Sequence, residues 1–279
     1  MKKYKYTILL GLVIFGAFLF INYSDLILNG VWDGRNDLRL GIVSKDRIAM
    51  VSVSLERKMI NAIKIEPDVP LWVPKGPSWY RTDRIEKLLT LEKKKDLAFE
   101  ILFYNFGFIS DRVLYLDDLD SWRDAGLAVK ELGLVNWLRL RRMSGEMIYK
   151  EEAVSKDLKE EAAILDEVMM RDFADNRILN SDIKISIINT SEISGLANFI
   201  ATKLEWAGFS VIGVESSEKV VDDCLMVKGR TEVGDYSLKV LENLFGCEVE
   251  EGNNQYETEL YFGERFAEML KYSSYRQSF

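Results

Sequence analysis

The longest apolar stretch of the chain comes first. Tyr6 to Tyr23 carries no charge, and Lys2, Lys3 and Lys5 precede it. At about 1.5 Å of rise per helical residue this run reaches about 27 Å, close to the roughly 30 Å hydrocarbon core of a bilayer. It predicts one transmembrane helix within residues 1–24. A cleaved secretory signal shares the lysine-rich start, but its apolar region is usually about 7 to 15 residues and closes on small residues. This one closes on Phe18-Leu19-Phe20-Ile21-Asn22-Tyr23, which favours an uncleaved anchor. Lysines before the run and Asp25 after it predict a single-pass protein of the cell membrane, with its N-terminus in the cytoplasm and its bulk extracytoplasmic.

Beyond the anchor, Leu38 to Val43, Ile48 to Val53 and Met59 to Ile65 are apolar runs that alternate only in part, as strands buried on both faces do. All four prolines lie between Pro67 and Pro77. Their density predicts a stiff extended loop, closed to helix and to regular ladder pairing, that carries Trp72 and Trp79. From Ile85, the positions Leu88, Leu89, Leu97, Ile101 and Leu102 recur at helical spacing, with Lys93, Lys94 and Lys95 on the wet face and Gly107 where a C-cap belongs. Arg112 to Leu116 reads as a strand, Asp117, Asp118 and Asp120 as an acidic turn, and Ala125 to Leu132 as a helix. From Val154, the series Leu158, Ala162, Leu165, Val168, Met169 and Phe173 keeps one apolar stripe, which predicts a connecting helix within residues 151–180.

The remainder parses as strand Ile183 to Ile188, helix Ile193 to Ala207 closed by Gly208, strand Phe209 to Val214 and strand Asp223 to Val227. Helix Ser237 to Phe245, closed by Gly246, and strands Cys247 to Val249 and Glu259 to Phe262 follow. That order is a two-layer βαββαβ unit with an extra strand, spanning residues 181–272. The predicted class is α/β: an N-terminal transmembrane helix, a first α/β domain over residues 31–150, and this small C-terminal domain.

Composition narrows the chemistry. Setting aside the three leading lysines takes 37 basic residues to 34, against 45 acidic ones. Such a balance gives nucleic acid no reason to bind and serves solubility. No histidine occurs, which removes Ser-His-Asp and Cys-His catalysis and imidazole metal sites. Cys224 and Cys247 lie outside the cytoplasm by this reading, where a disulfide is favoured over two free thiols. Closing a loop of that size is worth about 3 kcal/mol on the loop-entropy account.

Three constellations could bear function. Arg139, Arg141 and Arg142 cluster beside Trp137; alternate arginines on an extended segment could clamp a phosphate, and a solvated charge run would carry the same residues. Asp46 and Asp68 stand near strand ends, where they serve either as turn residues or as hard oxygen donors for Mg²⁺. Asn189 to Ala197 joins a strand to a helix, where free amides could hold an anion or Ser191 and Ser194 could simply cap.

Several of these segments resemble the LytR-CpsA-Psr family of cell-envelope proteins. Ile187-Ile188-Asn189-Thr190, Gly195-Leu196-Ala197, Ala207-Gly208-Phe209-Ser210-Val211 and the closing Leu260-Tyr261-Phe262-Gly263 resemble that family's C-terminal domain. Upstream, Ser44-Lys45-Asp46-Arg47-Ile48, Ile63 to Pro74, Phe106 to Asp111 and Arg139-Leu140-Arg141 resemble a reduced form of its catalytic domain. The resemblance implies a single N-terminal anchor and transfer of a glycopolymer from a polyprenyl-pyrophosphate carrier to the cell wall with Mg²⁺. It would give Arg139, Arg141 and Asp68 catalytic roles, Arg139, Arg141 and Arg142 the ligand, and Asp46 and Asp68 the metal.

Two departures bear on activity. Pro67 is followed directly by Asp68, where the family carries an intervening arginine, and the Asp and Arg that normally follow Arg-x-Arg are not recognisable in Met143 to Glu152. Losing one donor to a developing phosphate charge costs about 10² to 10³ in rate. The expectation is therefore a non-catalytic envelope protein, without a cofactor, that binds or scaffolds a polyprenyl phosphate, wall polymers or envelope proteins. The alternative is a working Mg²⁺-dependent phosphotransferase.

Overall fold

The computed structural model describes residues 35–54, 56–74, 79–93, 96–117, 147–155, 165–229, 236–253 and 257–270. The apolar N-terminal run, the 125–132 helix, Asp118, Asp120, Trp137 and Arg139, Arg141 and Arg142 lie outside these residues. Among the described residues no helix is long and apolar enough to cross a membrane.

The first three apolar runs form β1 (Leu38–Val43), β2 (Ile48–Ser54) and β3 (Met59–Ile65), an antiparallel meander. Every residue of β1 and β2 is buried, so the meander is covered on both faces. Next come β4 (Pro70–Trp72), β5 (Trp79–Arg81), α1 (Thr82–Glu92), α2 (Leu97–Phe106), β6 (Arg112–Tyr115) and β7 (Ile148–Val154). β6 runs parallel to β1 and β7 parallel to β3, which gives the order β6-β1-β2-β3-β7. One face, with Val43, Ile48, Met50, Ile63 and Ile65, packs on Ile85 and Leu89 of α1 and on Ile101 and Leu102 of α2.

A π-helical turn (Met169–Phe173) and the short α3 (Asn176–Leu179) lead into the second sheet. Its elements are β8 (Lys184–Asn189), α4 (Leu196–Ala207), β9 (Ser210–Ser216), β10 (Cys224–Lys228), α5 (Tyr236–Phe245), β11 (Glu248–Glu251), β12 (Glu257–Phe262) and α6 (Glu264–Leu270). The order is β11-β10-β12-β8-β9, with only β10 and β12 antiparallel. Ile185, Ile187, Leu260 and Phe262 of the sheet pack on Ile200 and Leu204 of α4 and on Leu241 and Phe245 of α5. Cys224 and Cys247 form a disulfide beside the β10–β11 pair, with Cα atoms 4.6 Å apart.

The helix α2 joins the two cores. It is apolar on nearly every side, as a helix buried between layers is. Ile101 and Leu102 face the first sheet, while Phe103 lies 5.8 Å from Phe245 and Tyr104 stacks on Phe199 at 6.4 Å. Gly107 ends α2 in the left-handed region at φ +62°, and its N–H is accepted by Phe103 O.

Four expectations are corrected. The proline-rich loop does pair: β4 and β5 form a short antiparallel ladder, with Trp72 opposite Trp79. Pro70 opens the strand, and the pairing survives because Asn105 takes the other edge. Its Oδ1 accepts from Trp72 N and its Nδ2 donates to Trp72 O, both at 2.8 Å. The helix read from Ile85 is two helices, broken at Lys93 with φ +53°. Between Leu89 and Leu97 the only apolar residue is Leu91, 70% exposed, so no buried stripe carries the helix across. Val154 closes strand β7 instead of opening a connecting helix, and its backbone is held in register by Ile65. Finally, α4 begins at Leu196, because Gly195 at φ +90° keeps Ile193 out of it.

Candidate functional site

Register brings Asp46 and Asp68 to one end of the first sheet. Ile48 pairs with Ile65, so the β1–β2 turn holding Asp46 and the Pro67-Asp68 turn leave the same edge. In the first turn Ser44 N donates to Arg47 O at 2.9 Å, and Ser44 Oγ lies 3.2 Å from Asp46 Oδ1. Asp46 Oδ2 faces Arg47 Nε at 3.8 Å, and the carboxylate is 65% exposed. The second turn is tied to α1, where Asp83 N donates to Pro67 O at 3.1 Å. Among the described residues no group of three or more carboxylates or cysteines is placed to hold a metal. Two carboxylates fit Mg²⁺ only in company with a phosphate, because the ion takes its remaining ligands from substrate and water.

The loop from Asn189 to Gly195 binds itself. Asn189 Oδ1 accepts from Ser191 N at 3.0 Å, Glu264 Oε2 accepts from Glu192 N at 3.0 Å, and Ser191 Oγ accepts from Ile193 N at 3.2 Å. The amides of Ser191, Glu192 and Ile193 are thus engaged, and neither serine caps the helix, because the N-cap position of α4 is Gly195.

The strongest assembly of charge lies elsewhere, at the seam between the sheets, and sequence reasoning did not assign it. Arg39, the second residue of β1, is 1% exposed. Its Nη2 stands 2.6 Å from Asp175 Oδ2 and 3.3 Å from Asp111 Oδ1, and its backbone N–H donates to Asp111 Oδ2 at 2.8 Å. Arg177 completes the square: Nη2 reaches Asp111 Oδ1 at 2.5 Å and Nε reaches Asp175 Oδ1 at 3.1 Å. Tyr236 of α5 closes it, with its ring 4.1 Å from the Arg177 guanidinium carbon. Burial alone would push the Asp175 carboxyl up, but Arg39 and Arg177 outweigh it and hold Asp175 below the usual carboxylate range. Burial pushes the Tyr236 hydroxyl up to about 12.

A second square adjoins it. Arg57 Nη2 meets Asp37 Oδ2 at 3.3 Å and its Nη1 donates to Arg171 O at 2.8 Å, while Arg171 Nη2 meets Asp172 at 2.7 Å. Asn176 Nδ2 adds a bond to Asp37 at 2.7 Å. The available signal was Arg39 itself, a charge inside a strand whose neighbours demand burial on both faces.

Two features of the C-terminal unit complete the inventory. Lys203 of α4 is 5% exposed, and its Nζ donates to Asn105 O at 2.9 Å. Beside the disulfide, an open cleft of about 520 Å³ is lined by Lys219, Asp222, Asp223, Glu248 and Arg265.

No protein-family model matches the chain, and no curated protein matches it. Among solved structures, B. subtilis TagT is similar at 11% identity and a TM-score of 0.27, over 77% of this chain and 94% of that one. A LytR-CPS2A-psr family protein, YwtF (TagT), solved with bound octaprenyl pyrophosphate lipid, gives 9% and 0.25 over 77% and 93%. A transcriptional regulator from Enterococcus faecalis gives 11% and 0.26 over 87% and 94%. These superpositions are loose.

Proposed function

We propose that this chain is a membrane-anchored cell-envelope protein of the LytR-CpsA-Psr type that binds or scaffolds wall polymers or envelope proteins and does not transfer them. The observation that carries the reading is the commitment of the seam arginines to carboxylates of the same chain, with Arg39 buried and Arg57 and Arg177 partly exposed. Arg39 and Arg177 are matched by Asp111 and Asp175, and Arg57 by Asp37. A phosphotransferase needs guanidinium groups turned toward a diphosphate, whereas a scaffold needs two units held in one fixed relation. The missing arginine between Pro67 and Asp68 and the anchor pattern of Tyr6 to Tyr23 support the same reading, with the body outside the cytoplasm.

The shared sheet end of Asp46 and Asp68 favours the second reading, a Mg²⁺-dependent phosphotransferase. There the two carboxylates would hold the ion, Arg139, Arg141 and Arg142 would hold the pyrophosphate, and the ion would supply charge stabilisation at the phosphoryl oxygens.

Native mass spectrometry on the full-length, detergent-extracted protein, paired with a polymer-transfer assay in Mg²⁺, separates the two. The scaffold reading expects no turnover, with or without a bound polyprenyl phosphate. Mg²⁺-dependent turnover that Arg141→Ala abolishes, with little loss of thermal stability, would overturn it.

A further inference from the structure

Where α2 and α4 cross, Lys203 ends a relay that ties the second sheet to the proline-rich strap. Its Nζ donates to Asn105 O at 2.9 Å, and the Asn105 side chain grips both backbone groups of Trp72. The Nζ also sits 3.7 Å from the centre of the Trp206 ring and 5.8 Å from that of Phe199. The seam is tight at this point, since a Cβ on Gly107 would stand 2.5 Å from the Lys203 carbonyl oxygen.

An ammonium carries three N–H groups and needs strong compensation when it leaves water. Here it has one carbonyl, at the C-terminal end of α2, and an indole face. The charged groups on the packed elements give little more. Asp166, ahead of the π-helical turn, acts on Lys203 through space. Asp172 of that turn is taken by Arg171 and Arg57. Glu100 of α2 acts on Tyr104, and Glu205 of α4 is exposed. Burial pushes the Lys203 ammonium down to about 7, with Asp166 opposing.

We propose that Lys203 is a proton-controlled latch on the α2–α4 seam: neutral, it holds the two sheet units together through Asn105; protonated, it loosens them. The neutral amine keeps the bond to the Asn105 carbonyl at small desolvation cost. The ammonium places an under-compensated charge between two helices that otherwise meet through Phe103, Tyr104, Phe199 and Trp206. Acidification then opens the seam before it disturbs the meander of β1 to β3, whose contacts do not include this group.

Amide hydrogen exchange on the full chain at about pH 6 and about pH 8.5, corrected for the intrinsic pH dependence of exchange, tests the latch. Amides of residues 97–107 and 196–207 are expected to lose protection as the pH falls from about 8.5 to about 7, by up to about tenfold per pH unit, and to level off below that, while those of β1 and β2 hold. Lys203→Met is expected to abolish the difference. Equal protection at both pH values in the parent, or the same acid loss in Lys203→Met, overturns the proposal. Should that variant not fold, side-chain ¹⁵N labelling of lysine reads the parent directly. A Lys203 midpoint close to about 7 supports the latch, and one near the ordinary 10.5 overturns it.

Discussion

Arg39 is the residue on which the described fold turns. It is buried beside two carboxylates, and both of those depend on it and on Arg177. Removing one partner from such a cluster leaves an uncompensated charge, so Arg39→Met is expected to cost about 3 to 5 kcal/mol in urea unfolding. The same square makes an acid-stability prediction. Asp175 is held below its ordinary value of 3.8, so its contribution is present above that value and is lost as the pH falls through the native one. Stability of the parent should therefore drop below about pH 4, and Asp175→Asn should flatten that part of the profile while lowering stability at neutral pH. A neutral-pH stability unchanged by Asp175→Asn would show that the square is incidental.

Among the elements, β11 depends most on a covalent tie. Its four residues are Glu248, Val249, Glu250 and Glu251, all exposed, and it pairs only with β10. Like charges crowd an edge that has little apolar burial to hold it, and the Cys224–Cys247 bond clamps the strand at its start. Cys224→Ser with Cys247→Ser is expected to lower stability by about 2 to 4 kcal/mol, with lost exchange protection centred on β10 and β11. A loss spread evenly over both sheets would contradict that placement. The β4–β5 ladder is the opposite case, a short pair made possible by one side chain, Asn105, reaching from α2.

At the scale of the whole molecule, the two sheets share α2 and are joined by ion pairs among the described residues. Trp206 of α4 belongs to the first core, while Trp72, Phe103 and Tyr104 belong to the second. A shared core couples unfolding, so calorimetry at neutral pH is expected to give one cooperative transition. Two resolved transitions under those conditions would mean that the seam is weaker than its contacts imply.

Local pattern carried much of the fold. Runs of apolar residues bounded by turns located the strands β1, β2, β3, β6, β8 and β10 to within a residue or two, and Gly107, Gly208 and Gly246 marked helix ends because a left-handed residue favours glycine. The cysteine pair was expected from the oxidising compartment that the anchor pattern implies, not from its spacing, and the structure joins it. Asp46 and Asp68 were legible as residues at strand ends but not as residues of the same end of the sheet, since register follows from pairing across the sheet. Partner choice across long separation was not legible. Arg39 finds Asp111 and Asp175 only when β6 lies beside β1 and the start of α3 reaches Arg39, and Lys203 meets Asn105 only when α4 packs on α2. The sequence by itself determined which segments extend, which coil and which must be buried, because those depend on neighbours a few residues away. Only the tertiary structure decided which buried charges face one another, because that depends on which surfaces close together to exclude water.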